Sequence, residues 1–534
     1  MEVGWRRVGV AVLAALLVCG SITIEANARA IKWARAGDAL TLDPHAQNEG
    51  PTHVLSHQIY EPLILRDGQG KQVPALAESW TITADPLVWE FKLRRGVVFQ
   101  DGSPFTVDDV IYSFDRARQP NSDMKALLVS VDTMTRADDW TLRIKTKGPN
   151  PTFPSNLNNL FIMSKAWTEK NKTGRVQNFK DKESTFAALN ANGTGPFILV
   201  SRTPDVSTVL KRNDKYWGIG TVPLEITGIT YLPVKSDAAR VEALLSGEVD
   251  FVQDVPVAEI EKLSVAPNIL VNVGPENRAI FLGLNAGDPE LKSSDVKGRN
   301  PFADKRVRTA INMTVNRAAI QKTTMRGQSL PTGTIVPPGV NGYSKALDVI
   351  PTPDPVKAKA LMQEAGYADG FSVTLNCPND RYINDEAVCQ AIVTQLAPLG
   401  IRVNLVAQSK TTYFPLLQKT PPESDFYLLG WGVPTLDSQY IFSALYHTRD
   451  QKEGGWNATR YSNPEIDKQI DGLSEETDFS KRNQSIAQIW KVVADEVIYI
   501  PIHIQTLAYA MKSDLDIPVD LSNAPKLKFV KVKK

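Results

Sequence analysis

Little in this chain is suited to catalysis or to holding a metal. Five histidines and three cysteines are spread over 534 residues. G-x-S-x-G, H-E-x-x-H, the Walker A loop and the dinucleotide-binding G-x-G-x-x-G are all missing. Nucleophile elbows, zinc proteases, phosphate cradles and Rossmann cofactor sites therefore have no sequence support, and no cofactor is expected. Charge of one sign is missing too. The formal net charge is +1, which provides no basic field for nucleic acid or an anionic membrane. Past the first twenty residues no apolar run approaches the roughly 18 residues a membrane-crossing helix needs. Low-complexity segments and internal repeats are also absent.

What is present begins with an export pattern. Arg6 and Arg7 precede an apolar run, Val8 to Gly20, of signal-peptide length. Two small-x-small cleavage sites follow, Ala26-Asn27-Ala28 and Ala28-Arg29-Ala30. Cys19 invites a lipoprotein reading, but Val18 stands before it where a small residue is needed. The expectation is a signal peptide over 1–28, cleavage close to Ala28 and a periplasmic, monomeric mature protein. Only Cys377 and Cys389 then remain. An even pair in an oxidising compartment predicts a disulfide, with two buried free thiols as the alternative.

The rest reads as mixed α/β, with 42% hydrophobic and 22% charged residues in an ordinary globular balance. Val88 to Leu93 alternates as a strand, and Thr106 with Asp109 opens a helix over 107–117 like a capping box. Asp354, Pro355 and Gly366 bracket a helix over 356–365 as N-cap, first residue and C′. Phe371 to Asn376, Asp385 to Leu396 and Ile401 to Val406 form a βαβ unit, with Val388, Ile392 and Leu396 on one helix face. Gly193, Gly195 and Pro196 turn the chain into a strand at 197–200. A second strand, 208–211, leads to a loop carrying Tyr216 and Trp217. The terminal KLKFVKVKK alternates like an edge strand with its lysines in solvent. Two α/β lobes are expected: 29–275, then 276–500, with 501–534 returning to the first.

Among candidate functional residues, His53 and His57 lie one helical turn apart and could share a metal, but no third ligand is obvious. No metal site is therefore assigned. Arg381 and Tyr382 fall in a loop between strand and helix, where an arginine suits a ligand carboxylate; the alternative is a solvated loop. Trp431 ends an apolar strand. It can wall a pocket, with Gly432 letting the main chain approach a ligand, or it can be core.

NGTGPFILVS…TVLKRNDKYWG…ITYLPVKSDAARVEALLSGEVD, over 192–250, resembles the signature region of the extracellular solute-binding proteins of family 5, the peptide/nickel-binding group of ABC importers. FKLRRGVVFQDGSPFTVDDVIYSFDRAR (91–118), NPFADKRVRTAINMTVNRAAI (300–320), TIVPPGVNGY (334–343), DPVKAKALMQEAGY (354–367) and YSNPEIDKQIDGL (461–473) extend the resemblance. It implies a two-lobed periplasmic-binding-protein fold (class II, large type) with a subdomain inserted in the first lobe over about 50–185. It implies a non-enzymatic function: capture of peptides or peptide-like solutes and delivery to an ABC permease and its ATPase. The same role for a glutathione-like compound, opine, sugar or metal chelate is the alternative, and a secreted hydrolase is a remote one. The resemblance also places Asn48, Glu49 and Gly50 where similar proteins start the helix whose preceding loop meets the ligand. In dipeptide- and oligopeptide-binding relatives an aspartate three residues past the Trp pairs with the peptide α-ammonium. Here that position is Pro434. Asp437 either replaces the anchor or N-caps the helix from Ser438.

Overall fold

The computed structural model describes residues 29–179, 183–379, 381–450 and 453–533. The signal-peptide reading of 1–28 lies outside them.

Two long strands organise the molecule. Ile269–Leu284 and Tyr499–Lys512 pair antiparallel from Ile269↔Lys512 to Gly283↔Tyr499. Among the described residues they sit in the middle of one sheet. At one end Phe251–Val252, Arg29–Arg35, Ile226–Pro233, Ser207–Arg212 and Phe197–Thr203 extend the sheet. At the other, Phe426–Gly432, Phe371–Pro378 and Ile401–Gln408 do so. The pairing is interrupted widely in the middle and slips once more between Ile280 and Phe281. Pro275 faces Thr506 and Ala279 faces Ile504, so Glu276, Asn277 and Arg278 bulge out opposite the single residue Gln505. A bulge bends the ribbon and re-aims side chains.

We place the boundary between the lobes at this break. Tyr509 and Met511 belong to a core with Trp33 and Tyr231, whereas Ile500 and Ile502 pack with Phe371 and Leu428. On the same grounds we place the returning crossing at Gln505, where the sequence pattern suggested Pro501.

The inserted subdomain has its own four-stranded sheet, ordered Ala77–Ile82, Val88–Leu93, Thr141–Thr146 and Val131–Asp138. Its core runs from Leu63 to Ile162. Helix Gly50–Ile59, inside the expected span of about 50–185, packs with Trp33 in the first lobe's core.

Local punctuation behaves as its chemistry requires. Thr106 and Asp109 close a capping box on Val107–Ala117. Asp354 accepts from the Lys357 backbone N–H at 2.9 Å. In the βαβ unit Phe371–Pro378 and Ile401–Gln408 pair in parallel, and Val388, Ile392 and Leu396 are buried with Cys389. A disulfide joins Cys377 to Cys389 beneath this helix, with Cα atoms 6.6 Å apart.

Tyr216 and Trp217 owe their position to Glu61, a buried carboxylate at the end of Gly50–Ile59. It accepts from Tyr216 Oη at 2.7 Å, Trp217 Nε1 at 2.5 Å and Lys528 Nζ at 2.9 Å. This overturns the solvent-facing reading for Lys526 and Lys528, whereas Lys531 and Lys533 are exposed as expected. Lys528 is buried on Glu61 and Lys526 on Asp520, because a buried carboxylate needs a countercharge more than the lysine needs water. The short strand Lys531–Val532 pairs with Leu515–Asp516.

Candidate ligand cleft

The bulge opens onto a cavity of about 750 Å³ between the lobes, within the range that small-molecule sites occupy. Glu276, Asn277 and Arg278 form its floor. The floor is held from both sides: the Asn277 N–H donates to Leu521 O at 3.1 Å, and the Val433 N–H donates to Asn277 O at 3.2 Å. Gln505, opposite the bulge, donates to Glu276 Oε2 at 2.6 Å and accepts from the Ile383 N–H at 3.1 Å. One side chain thus ties the bulge to the loop carrying Arg381 and Tyr382.

That loop is fixed by the helix following it. Asp385 accepts from the Arg381 and Tyr382 N–H groups at 3.0 and 2.9 Å. The Tyr382 hydroxyl donates to Gly430 O at 3.0 Å. Its ring lies so close to Gly430 that a Cβ there would meet it at 2.5 Å, so only glycine fits. Arg381 and Arg278 place their guanidiniums 5.0 and 5.9 Å from the Tyr382 ring centre. Burial works against the charge on Arg278, and the Glu276 carboxylate 3.2 Å away outweighs it, raising the guanidinium above its ordinary value. Among the described residues the Arg381 guanidinium makes no hydrogen bond or ion pair; its contact is the Tyr382 ring.

An aromatic wall faces these cations. Trp431 stacks on Tyr440 with centroids 5.6 Å apart and meets Trp456 edge-on at 5.5 Å. Trp431 is only 7% exposed, and its indole N–H has no partner among the described residues. It is therefore both pocket wall and packed core, which the sequence treated as alternatives.

His53 and His57 hold no metal cluster: no group of three or more candidate metal ligands occurs among the described residues. They orient cleft amides instead. His53 Nε2 is 2.8 Å from Asn48 Oδ1, and His57 Nε2 is 3.0 Å from Asn159 Oδ1; both asparagines line the cavity. Burial lowers the pKa of His53 to about 4 and that of His57 well below its ordinary value, so both rings stay neutral at pH 7.

Of the residues singled out from sequence, Asn48, Arg381, Tyr382, Trp431 and Gly432 line this one cavity. Three others do not. Glu49 caps the helix it precedes, accepting from the Thr52 N–H at 2.7 Å, and Gly50 is that helix's first residue. Asp437 sits in a neighbouring groove with its oxygens engaged. It caps through the Gln439 N–H at 3.0 Å, accepts from both terminal Arg482 nitrogens at 2.8 Å, and accepts from Asn341 at 2.9 Å. A carboxylate satisfied four ways has nothing left for a ligand, so the cap, not the anchor, fits its surroundings. Pro434 stands in the lining, its carbonyl accepting from Arg66 at 2.6 Å. Sequence reasoning missed Arg66 and the trio Glu276, Asn277 and Arg278. The trio had a readable signal, three consecutive polar residues in a sixteen-residue strand whose one other polar side chain is Asn272.

The family model for bacterial extracellular solute-binding proteins, family 5 Middle, matches residues 71–453. The glutathione-binding protein GsiB of Salmonella choleraesuis is 26% identical over 510 residues, 94% of each chain. Among solved structures, HbpA2 from Haemophilus parasuis superposes with a TM-score of 0.80 at 21% identity, covering 95% of this chain and 100% of that one. DppA from Helicobacter pylori, in complex with the peptide STSA, gives 0.69 at 24% identity, covering 95% and 99%. The two-lobed periplasmic-binding-protein fold is shared with these structures.

Proposed function

We propose, from the premise that this chain belongs to the bacterial extracellular solute-binding proteins of family 5, that its cleft captures a peptide or peptide-like solute through a carboxylate. The observation that carries this is the charge of the lining. Among the described residues Arg66, Arg278 and Arg381 face a single carboxylate, Glu276, which is already paired with Arg278. An uncompensated guanidinium beside an aromatic wall suits a planar anion on an otherwise apolar molecule. Trp431, Tyr440 and Trp456 would pack the ligand's body, and the amides of Asn48 and Asn159, held by their histidines, would read its polar groups.

Pro434 gives neither charge nor an N–H where peptide-binding relatives carry their ammonium-binding aspartate. Among the described residues Glu276 is the carboxylate the lining offers a ligand ammonium. The excess of cationic groups favours, as a second reading, a glutathione-like compound with two carboxylates, consistent with the named binding of the GsiB relatives. In either case the protein works by stoichiometric capture in the periplasm as a monomer, without turnover, and passes its ligand to an ABC permease and ATPase.

Native mass spectrometry of protein isolated from its own envelope compartment reads the trapped ligand's mass. Calorimetry with glutathione and with short acidic peptides, on wild type and Arg381→Ala, then tests the carboxylate. Loss of a charge-assisted bond should weaken binding about 10- to 150-fold. A cationic trapped ligand, or unchanged affinity in the variant, refutes the reading.

A further inference from the structure

We propose that Arg66 sets the length of ligand that the cleft accepts, standing as a removable wall between it and a second groove behind. The inference rests on the peptide-capture reading above and adds a determinant of specificity to it.

The second groove measures about 670 Å³ and runs between the inserted subdomain, at Gln72 and Trp80, and the second lobe, at Asn341 and Tyr343. It continues past Trp89 and Phe479 through a further cavity of about 260 Å³ that shares Trp80 and Asn341 with it. The cleft and the groove have three lining residues in common: Arg66, Ser155 and Thr435. Those three are joined to one another by the Arg66 guanidinium. It donates to Ser155 O at 3.0 Å on the subdomain side, and to Pro434 O at 2.6 Å and Thr435 O at 2.9 Å on the second-lobe side. The partition between the two spaces is therefore a set of hydrogen bonds from one side chain.

The anchoring of this arginine differs from that of buried Arg116 and Arg482 and resembles that of Arg317, which among the described residues is also held by carbonyl oxygens without a carboxylate. Arg116 is held by Asp43 and Arg482 by Asp437, each through two bonds to a carboxylate. Arg66 is 3% exposed and has no carboxylate in ion-pair range among the described residues; carbonyls hold its terminal nitrogens, and its Nε–H has no partner. Burial lowers its pKa to about 10, against a weaker opposing pull from Asp520. Neutral carbonyl acceptors hold a cation less firmly than a carboxylate does. An extended peptide entering from the cleft carries carbonyls of its own that can replace those of Ser155 and Thr435. With the bonds in place, the far end of such a peptide has no path into the groove.

The test uses ligand-stripped full-length protein, wild type, Arg66→Ala and Arg66→Lys, titrated calorimetrically with Ala-Glu, Ala-Ala-Glu and Ala-Ala-Ala-Ala-Ala-Glu. Thermal melts accompany each titration. Wild type should bind the two short peptides at least tenfold more tightly than the hexapeptide. Arg66→Ala should raise hexapeptide affinity relative to that of the two short peptides at least tenfold, whatever it does to all three in common. Arg66→Lys keeps the charge but cannot span both lobes, so it should move the same way and carries the test if the alanine variant does not fold. Wild type that takes the hexapeptide as tightly as the tripeptide overturns the proposal, as does an unchanged length profile in a folded variant. If none of the three peptides binds wild type, the peptide reading itself fails and the length gate falls with it.

Discussion

Asp437→Asn distinguishes a structural carboxylate from a ligand anchor. Asparagine caps a helix nearly as well as aspartate, so the bond from the Gln439 N–H should survive. The pair with Arg482 should not. Both Asp437 oxygens accept from the guanidinium at 2.8 Å, and both residues are buried; an amide would turn one acceptor into a donor facing a donor. Breaking a buried pair by changing one partner costs about 3–5 kcal/mol. Arg482 keeps its bonds to Leu473 O at 3.0 Å and Gln439 Oε1 at 2.7 Å, which puts the expected loss near the lower end, about 3 kcal/mol. If the second lobe melts as one unit, that is a fall of roughly 6–12 °C. Chemical denaturation and calorimetry on the same preparations should show a lower midpoint with ligand affinity unchanged. In a double-mutant cycle, adding Arg482→Met should recover part of the loss, because an apolar replacement leaves no charge unpaired. An unchanged midpoint refutes the buried-pair argument, and a hundredfold loss of affinity with an unchanged midpoint would make Asp437 the ligand's anchor after all.

Three further outcomes are expected. Thiol titration of denatured, unreduced protein should find neither Cys377 nor Cys389, and the Cys377→Ser/Cys389→Ser variant, opening a bridge that spans 12 residues, should lose about 3 kcal/mol; two titratable thiols would end the claim. Ligand should shift tryptophan emission. Trp431→Phe should keep the cooperative melt and diminish the shift, whereas Trp431→Ala should cost stability as well, about 3–5 kcal/mol for a packed ring; an unaltered shift in Trp431→Phe removes Trp431 from the site. Burial holds His53 and His503 neutral with pKa values of about 4, while the unfolded chain protonates them near 6.5. The unfolded state then binds more protons as pH falls through that window, so stability should drop by up to about 1.4 kcal/mol per pH unit for each histidine. Denaturation midpoints at pH 7 and pH 5 check this, and equal midpoints would show that the rings do titrate when folded.

Much of the fold was legible because it is written in local patterns. Alternation marked Val88–Leu93, and a three-residue cap spacing marked the start of Val107–Ala117. The helical period put Val388, Ile392 and Leu396 on one buried face, next to the cysteine that bridges to the preceding strand. Such signals depend on neighbours within a turn or two, where backbone geometry alone dictates which side chains share a face. Aromatic and glycine punctuation likewise singled out Trp431 and Gly432, and a loop position singled out Arg381.

Only the tertiary structure decided what the charged residues do. Lys528 meets Glu61 across 467 positions of chain, and Arg66 reaches the carbonyl of Pro434 across 368. Glu49 and Asp437, both plausible binding residues, were taken by a helix cap and by a buried arginine, while Glu276, Asn277 and Arg278 became the cleft floor through a bulge whose partner strand begins more than two hundred residues later. Sequence spacing carries no record of such partners. A charge removed from water settles on whatever countercharge or carbonyl the closed fold brings within about 3 Å, and that choice exists only once distant segments have packed.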